Sequence, residues 1–436
     1  MRHTTKKTGD GTLSRRDLIE QGSAVVAAGL LLSSCPDGGP DAGPDGALPD
    51  GDGDLDGDAE PDGDAESDGD ADGGTACSPG ELPDDPYEDC RVVRVYDRRV
   101  TTYAFGEDEV CWQHIDAGVI REMLDAALIE LARVASIGEA WRALLLGDLG
   151  SARIAVKANL NGDEPHFINT SPAMMIALSS SLVEAGAVAE NITIFDVSRR
   201  FPGVYRDSVL AAVPGLVLLG GGDVPLHETE VVAAPTLVLE DGSHVTCAAP
   251  VCLVEADHFV NLHVLKGHFG GSTGSMKNLF GLARNVMNTF HGRGNLGQTR
   301  YEVGRQCADL ATQPLVRGKS RVLISEGVYG TWWHANKPPD RFRDEDLFPG
   351  GMPCCVTVSR NPLYHDTVLY DLIAAERAYE PLDEGYSRYP DDWLRFCTEE
   401  PYLLGVLDHG RVVEGTFTAS DLAYDHLDYR SFTTHG

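Results

Sequence analysis

The chain has 436 residues, a net charge of −33 and 42% hydrophobic residues. That acidity excludes a nucleic-acid partner, because phosphate backbones are held by basic surfaces. Once a leader and an acidic low-complexity linker are set aside, enough chain remains for one large or two closely packed domains.

Residues 1–35 read as an export leader. Arg2, Lys6 and Lys7 come first. Ser14-Arg15-Arg16-Asp17-Leu18-Ile19 then resembles a twin-arginine signal, with Glu20 where many such signals carry lysine. An apolar run, 24–32, follows. Leu32-Ser33-Ser34-Cys35 resembles a lipobox, in which cleavage leaves Cys35 as a lipid-modified N-terminus. The expectation is a protein exported in the folded state and held to a membrane of the cell envelope through Cys35. Outside the leader no apolar run is long enough to span a bilayer.

Residues 36–76 contain fifteen carboxylates and no Lys or Arg. Such a segment cannot bury a core and is expected to act as a disordered, self-repelling tether. The Asp-Gly repeats at 52–58 resemble a calcium loop, but Gly63 stands where an EF-hand needs a bidentate glutamate. Residues 77–436 are then the expected folded domain. Cys77, Cys90 and Cys111 lie around its start, where exposed thiols outside the cytoplasm oxidise, and Cys77–Cys90 is one pairing the positions allow. No Cys-x-x-Cys occurs, and no cysteine cluster suits an iron–sulfur centre.

The spacing of Val119, Met123, Leu124, Ala127, Leu128 and Leu131 predicts an amphipathic helix over 116–135. Residues 153–160 read as a buried strand ending in Lys157 and Asn159. Thr170-Ser171-Pro172 opens a helix that runs to Gly186, and 191–197 is the next strand, ending at Asp196. This β-α-β unit predicts an α/β fold with a doubly wound, mostly parallel sheet flanked by helices. Residues 216–219 are a short strand. Residues 231–239 and 244–247 flank Asp241-Gly242, a hairpin signal, and predict a small antiparallel insertion.

Residues 259–283 are the candidate site. An apolar strand, 259–265, leads into a glycine-rich loop and then a helix, an arrangement that binds ligands at the carboxyl ends of strands. Gly270, Gly271 and Gly274 allow close backbone approach. Ser272, Thr273 or Ser275 is expected to cap the helix, leaving its first N–H groups to hold an anion. Lys266 and Lys277 add ammonium charge, and His268 is the first candidate acid–base group. Gly270 to Gly274 spells G-x-S-x-G around Ser272, although a nucleophile elbow needs that serine on a tight turn directly after a strand.

The stretch VNLHVLKGHFGGSTGSMKNLFGL resembles the signature of the family called domain of unknown function 362: an apolar strand, Lys-x-His, a loop, then Lys-Asn-(Leu/Phe)-Phe-Gly. The matching residues are Lys266, His268, Lys277, Asn278, Phe280 and Gly281. The likeness extends from about 154 to about 377. Lys157-Ala158-Asn159 stands where the family has Lys-Pro-Asn, and Asn261 fits its asparagine. Glu326 replaces an aspartate, and Ser359-Arg360-Asn361-Pro362 with Asp366 resembles Ser-x-Asp-Pro-x-x-x-Asp. The family often has a histidine after the signature helix, which implicates His291. Some relatives append ferredoxin cysteines, which this chain lacks.

The chain has seven lysines against 28 arginines, and Lys157, Lys266 and Lys277 all fall at signature positions. Ammonium groups shift pKa when buried whereas guanidinium stays charged. The expectation is an enzyme that binds a small anionic substrate. Lys157, Asn159, Asn261, Gly270, Gly271, Ser272, Thr273 and Asn278 would bind it, and Lys266, Lys277, His268 and His291 would do acid–base work. A divalent metal on Asp196, Glu326 or Asp366 is a candidate assistant. Two further readings stay open: a non-catalytic anion-binding lipoprotein, and a serine hydrolase using Ser272.

Overall fold

A computed structural model describes residues 82–105, 110–161, 164–238, 243–268, 271–284, 300–332, 338–377, 392–413 and 421–435. All lie in the unit Asp70–Gly436. The leader, the linker and Cys35 fall outside the described residues.

The strands are β1 (Arg91–Tyr96), β2 (Ile154–Lys157), β3 (Ile192–Asp196), β4 (Val217–Gly220), β5 (Leu226–Val238), β6 (His244–Pro250), β7 (His258–His268), β8 (Gly271–Thr273), β9 (Ser320–Thr331), β10 (Cys355–Ser359), β11 (Arg411–Val413), β12 (Asp421–Ala423) and β13 (Asp428–Thr433). The main helices are α1 (Ala117–Ala132), α2 (Ile137–Leu144), α3 (Pro172–Glu184), α4 (Gly203–Ala212), α5 (Ser275–Asn278), α6 (Arg300–Thr312) and α7 (Pro362–Arg377). The principal sheet runs β13-β1-β10-β9-β7-β2-β3-β4, with β8 folded back on β7. β4, β3, β2, β7 and β9 are mutually parallel, while β10 is antiparallel to both its neighbours. β5 and β6 pair antiparallel as a separate sheet, the expected small insertion.

Both faces of the sheet are covered. Val156, Ile194, Val260 and Ile324 join one apolar cluster with α1 to α4. Ala155, Phe195 and Phe259, one residue away on the same strands, join the other with α6 and α7. Alternation of the pleat therefore fills two cores, and a strand apolar on both faces reads as a continuous run such as Ile154-Ala155-Val156 of β2. α1 starts where the Asp116 carboxylate accepts the N–H groups of Gly118 and Val119. Met123, Leu124, Leu128 and Leu131 on its inner stripe are fully buried, each stabilising by about 1.5–3 kcal/mol. Ser171 caps α3 by accepting the Met174 N–H, with Pro172 in the first turn.

Three local expectations are corrected. β7 continues to His268, so Lys266 lies within a strand rather than in a loop. Extra pairing with β8 and β9 carries it past the apolar run. Cys111 is a buried free thiol, not an exposed one. Cys90 is disulfide-bonded. The chain end, which carries no motif, supplies β13, and that strand closes the sheet edge in parallel with β1.

Candidate functional site

Chain order runs outward from β2 to β3 and β4 on one side, then to β7 and β9 on the other. The crevice between β2 and β7 is thus the point where the winding reverses, and ligands bind there in open α/β sheets. Lys157 ends β2, Asp196 ends β3, and Lys266 lies near the end of β7. Lys157 is in register with Asn261. All four side chains are buried, together with Asn159, Lys277 and Asn278.

A line of carboxamides threads these groups and its direction is fixed from the main chain. Asn261 Nδ2 donates to the Ser275 carbonyl at 2.7 Å. Asn261 Oδ1 must then face Asn278, which donates to it at 2.7 Å. Asn278 Oδ1 accepts from Asn159 Nδ2 at 2.8 Å. That leaves Asn159 Oδ1 toward Lys266, whose Nζ donates to it at 2.5 Å. A second acceptor, Asn161 Oδ1, takes another Lys266 N–H at 2.5 Å, and Asn161 is oriented by donating Nδ2 to the Ile168 carbonyl. Every carboxamide is satisfied, the condition under which a buried polar network is rigid rather than costly.

The two lysines differ in their partners. Lys157 Nζ has three acceptors: the Ala158 carbonyl at 2.6 Å, Asp196 Oδ2 at 2.9 Å and Asn278 Oδ1 at 3.4 Å. Three acceptors and a carboxylate fit an ammonium ion. Among the described residues Lys266 has two acceptors, both neutral amides. Two N–H donors are what a neutral amine offers, and its lone pair is then left over. Burial drives the Lys266 pKa well below its usual value, and the charges of Lys277, Lys157 and Arg199 push it down further, against Asp196 alone pulling it up. Lys277, beside the Phe280 ring at 4.6 Å, is lowered by burial to about 8. Gly281 makes the Lys157–Asp196 pair sterically feasible, since a Cβ there would lie 2.4 Å from Lys157 Nζ.

A family model described as Domain of unknown function (DUF362) matches residues 154–370. Through these residues the chain belongs to the domain of unknown function 362 family. No curated protein matches it. A solved structure of the lactate racemase apoprotein from Thermoanaerobacterium thermosaccharolyticum is similar, with a TM-score of 0.29 and 13% identity. The likeness covers 59% of this chain and 55% of that one, so the chain spans about half the length of the protein it matches.

Within the domain of unknown function 362, the structure brings together Lys157, Asn159, Asp196, Asn261, Lys266, Lys277 and Asn278. The helix start departs from expectation. α5 is capped neither by Ser272, Thr273 nor Ser275. The Asp366 carboxylate, reaching in from α7, accepts the Ser275 N–H at 2.6 Å and the Met276 N–H at 3.0 Å. The anion at this helix start is therefore the protein's own. Ser272 sits in β8 opposite Gly267, on a hairpin rather than a strand-to-helix elbow. Gly271 is the first residue of β8. His268 closes β7, but its side chain, Gly270 and His291 lie outside the described residues.

The three candidate metal ligands do not converge. Asp196 receives Lys157, the N–H groups of Leu160, Ser198 and Arg199, and the Ser198 hydroxyl. Its link to Arg199 is thus through the main chain rather than the guanidinium. Glu326 accepts the Ser171 N–H at 2.8 Å and lines a separate cavity with Tyr205, Tyr329 and Cys111, where burial lifts its pKa to about 7. Asp366 holds α5. Among the described residues, no three His, Cys, Asp or Glu side chains are placed to hold a metal ion.

Sequence reasoning missed Asn161. Its signal was present as Asn159-x-Asn161 directly after a buried strand, two carboxamides flanking the buried Leu160.

Proposed function

We propose that the chain is an enzyme that holds a small anionic substrate at the carboxyl ends of β2, β3 and β7 and transfers a proton through Lys266. One observation carries this reading: Lys266 Nζ is buried between two amide oxygens at 2.5 Å, with no carboxylate bound to it among the described residues. A buried amine of this kind gives up its proton more readily than an ordinary lysine, so it can serve as a base. Lys277 and Arg199 supply positive potential that a bound anion would relieve. His268 and His291 are proposed as further proton carriers on sequence pattern alone. Asp196, Glu326 and Asp366 are each engaged by protein donors, so the reading routes no step through a metal.

Export by the twin-arginine route and anchoring through Cys35 form the accompanying proposal. Arg15→Lys with Arg16→Lys should hold the chain in the cytoplasm, and Cys35→Ser should release it from the membrane fraction. An unchanged distribution in both variants would overturn it.

The site reading is tested by the melting temperature of the full chain in phosphate, acetate and lactate across pH. An anion stabilises the ammonium form of Lys277, whose pKa in the free protein is about 8. Its stabilising effect should therefore be largest below about pH 8, fade as pH rises, and shrink in Lys277→Met. If none of the three anions raises Tm at any pH, the anion site is refuted.

A further inference from the structure

We propose that Lys266 is a nucleophile that takes a 2-oxo carboxylate as an imine, which rests on the lysine-centred reading above and names its substrate class. The argument begins with donor arithmetic. An ammonium group carries three N–H donors and a neutral amine carries two plus a lone pair. Lys266 Nζ meets two acceptors, Asn159 Oδ1 and Asn161 Oδ1. Neither amide can turn its NH2 toward the lone pair. Asn161 Nδ2 is committed to the Ile168 carbonyl, and Asn159 Nδ2 to a relay that ends on the Ser275 carbonyl. The site thus fixes both amine hydrogens and, among the described residues, leaves the electron pair without a donor, the arrangement required of a nitrogen that attacks carbon.

Lys157 provides the contrast within the same crevice. It has three acceptors, one of them the Asp196 carboxylate, and the Gly281 backbone packs against its Nζ. Its ammonium is fully engaged and has no electron pair to offer. General acid–base catalysis alone does not demand two such different lysines side by side. A covalent amine next to a fixed positive charge does.

The surrounding charge selects the electrophile. Lys277, Lys157 and Arg199 act on Lys266 against Asp196, so positive charge predominates around the amine. A simple aldehyde brings no negative charge to that potential. A 2-oxo acid carries a carboxylate on the carbon adjacent to its carbonyl, so one small molecule supplies both the counter-charge and the reacting carbon. Lys266 is 1% exposed, and exclusion of water disfavours hydrolysis of an imine once formed.

The step balances without a further reactant. The lone pair forms a C–N bond to the carbonyl carbon, and the π electrons move to oxygen, which takes one amine proton to give a carbinolamine. The C–O bond then breaks, and oxygen leaves as water with the second amine proton. Amine and carbonyl become imine and water, with no change of oxidation state. Asn159 and Asn161 hold the amine hydrogens up to that point.

The experiment is reductive trapping of the full chain with pyruvate or acetaldehyde in the presence of cyanoborohydride, followed by peptide mapping, with lactate as the carbonyl-free control in a parallel thermal shift. The expected result is a reduced pyruvate adduct on the peptide containing Lys266, at least tenfold above that on the Lys157 peptide and above acetaldehyde at Lys266. Trapping with no label on Lys266 overturns the imine. Lactate raising Tm as much as pyruvate, together with no label, overturns it while leaving the anion site standing. Label on Lys266 that is equal for acetaldehyde and pyruvate overturns the acid as substrate. Because the unaltered chain is mapped, the result does not depend on whether Lys266→Met folds.

Discussion

At the scale of single residues, the crevice separates two lysines that a sequence motif treats alike. Lys157 and Asp196 form a buried ion pair at 2.9 Å, with side chains 0% and 2% exposed. Removing one member of such a pair leaves an uncompensated buried charge, which costs about 3–5 kcal/mol. Lys157→Met should therefore lose stability on that scale. Lys266→Met removes an amine that is already disfavoured as a cation and strands two amide oxygens, at about 1–3 kcal/mol each if they stay dry. Urea unfolding of both variants at neutral pH checks this. A loss below about 1 kcal/mol for Lys157→Met would mean that Lys157 and Asp196 are not a buried ion pair. Gly281 belongs to the same argument. Its Cβ would lie 2.7 Å from Lys157 Cε and 3.3 Å from Asp196 Oδ2, so Gly281→Ala should displace the pair and cost about 1–3 kcal/mol.

At the scale of elements, the four-residue helix α5 is too short to hold itself and depends on α7. A nucleus of one turn is unfavourable on its own. Asp366 supplies the missing acceptors, and Gly274 lets it approach: a Cβ there would lie 2.4–2.6 Å from three carboxyl atoms of Asp366. Gly274→Ala should push the carboxylate off the Ser275 and Met276 N–H groups and misplace Lys277 and Asn278. Hydrogen exchange reads this directly, as faster exchange at those two amides while the α3 amides are unchanged. Protection retained at both would show that the helix start does not need Asp366. The sequence made α5 visible as Lys277-Asn278 after a glycine loop, because those residue types are rare in buried positions. It did not reveal the cap, because a cap supplied from residue 366 leaves no local trace, and three nearby hydroxyls offered a false one. Asn361 was readable for the opposite reason: it caps its own helix, accepting the Leu363 N–H at 2.9 Å.

At the scale of the whole molecule, the parallel strands were legible because burial on two faces writes apolar runs into them, as in Ile154-Ala155-Val156 of β2 and Val322-Leu323-Ile324 of β9. β13 was not, because its half-exposed Asp-Tyr-Arg-Ser-Phe-Thr carries no periodic signal and its place depends on pairing with β1, more than 300 residues away in sequence. The same burial that hides the site sets a pH dependence of stability. Burial raises Glu326 from an ordinary 4.5 to about 7, and Asp366 from 3.8 to about 6. A carboxyl group with a raised folded-state pKa favours the fold while protonated. Below about pH 4.5 Glu326 is protonated in both states and has no effect on the balance. Between 4.5 and 7 the unfolded chain releases its proton first, so stability falls as pH rises, and above 7 the loss is complete. A shift of this size corresponds to about 3 kcal/mol. Glu326→Gln keeps an oxygen for the Ser171 N–H and removes the titration. The variant should match the parent near pH 4.5 and exceed it by about 3 kcal/mol at pH 8, measured as paired urea midpoints at the two pH values. Asp366 contributes the same sign in both proteins and cancels in the comparison. A difference between variant and parent that does not change from pH 4.5 to 8 would place Glu326 as an ordinary ionised carboxylate, and its cavity beside Tyr205 and Tyr329 would then have to be wet.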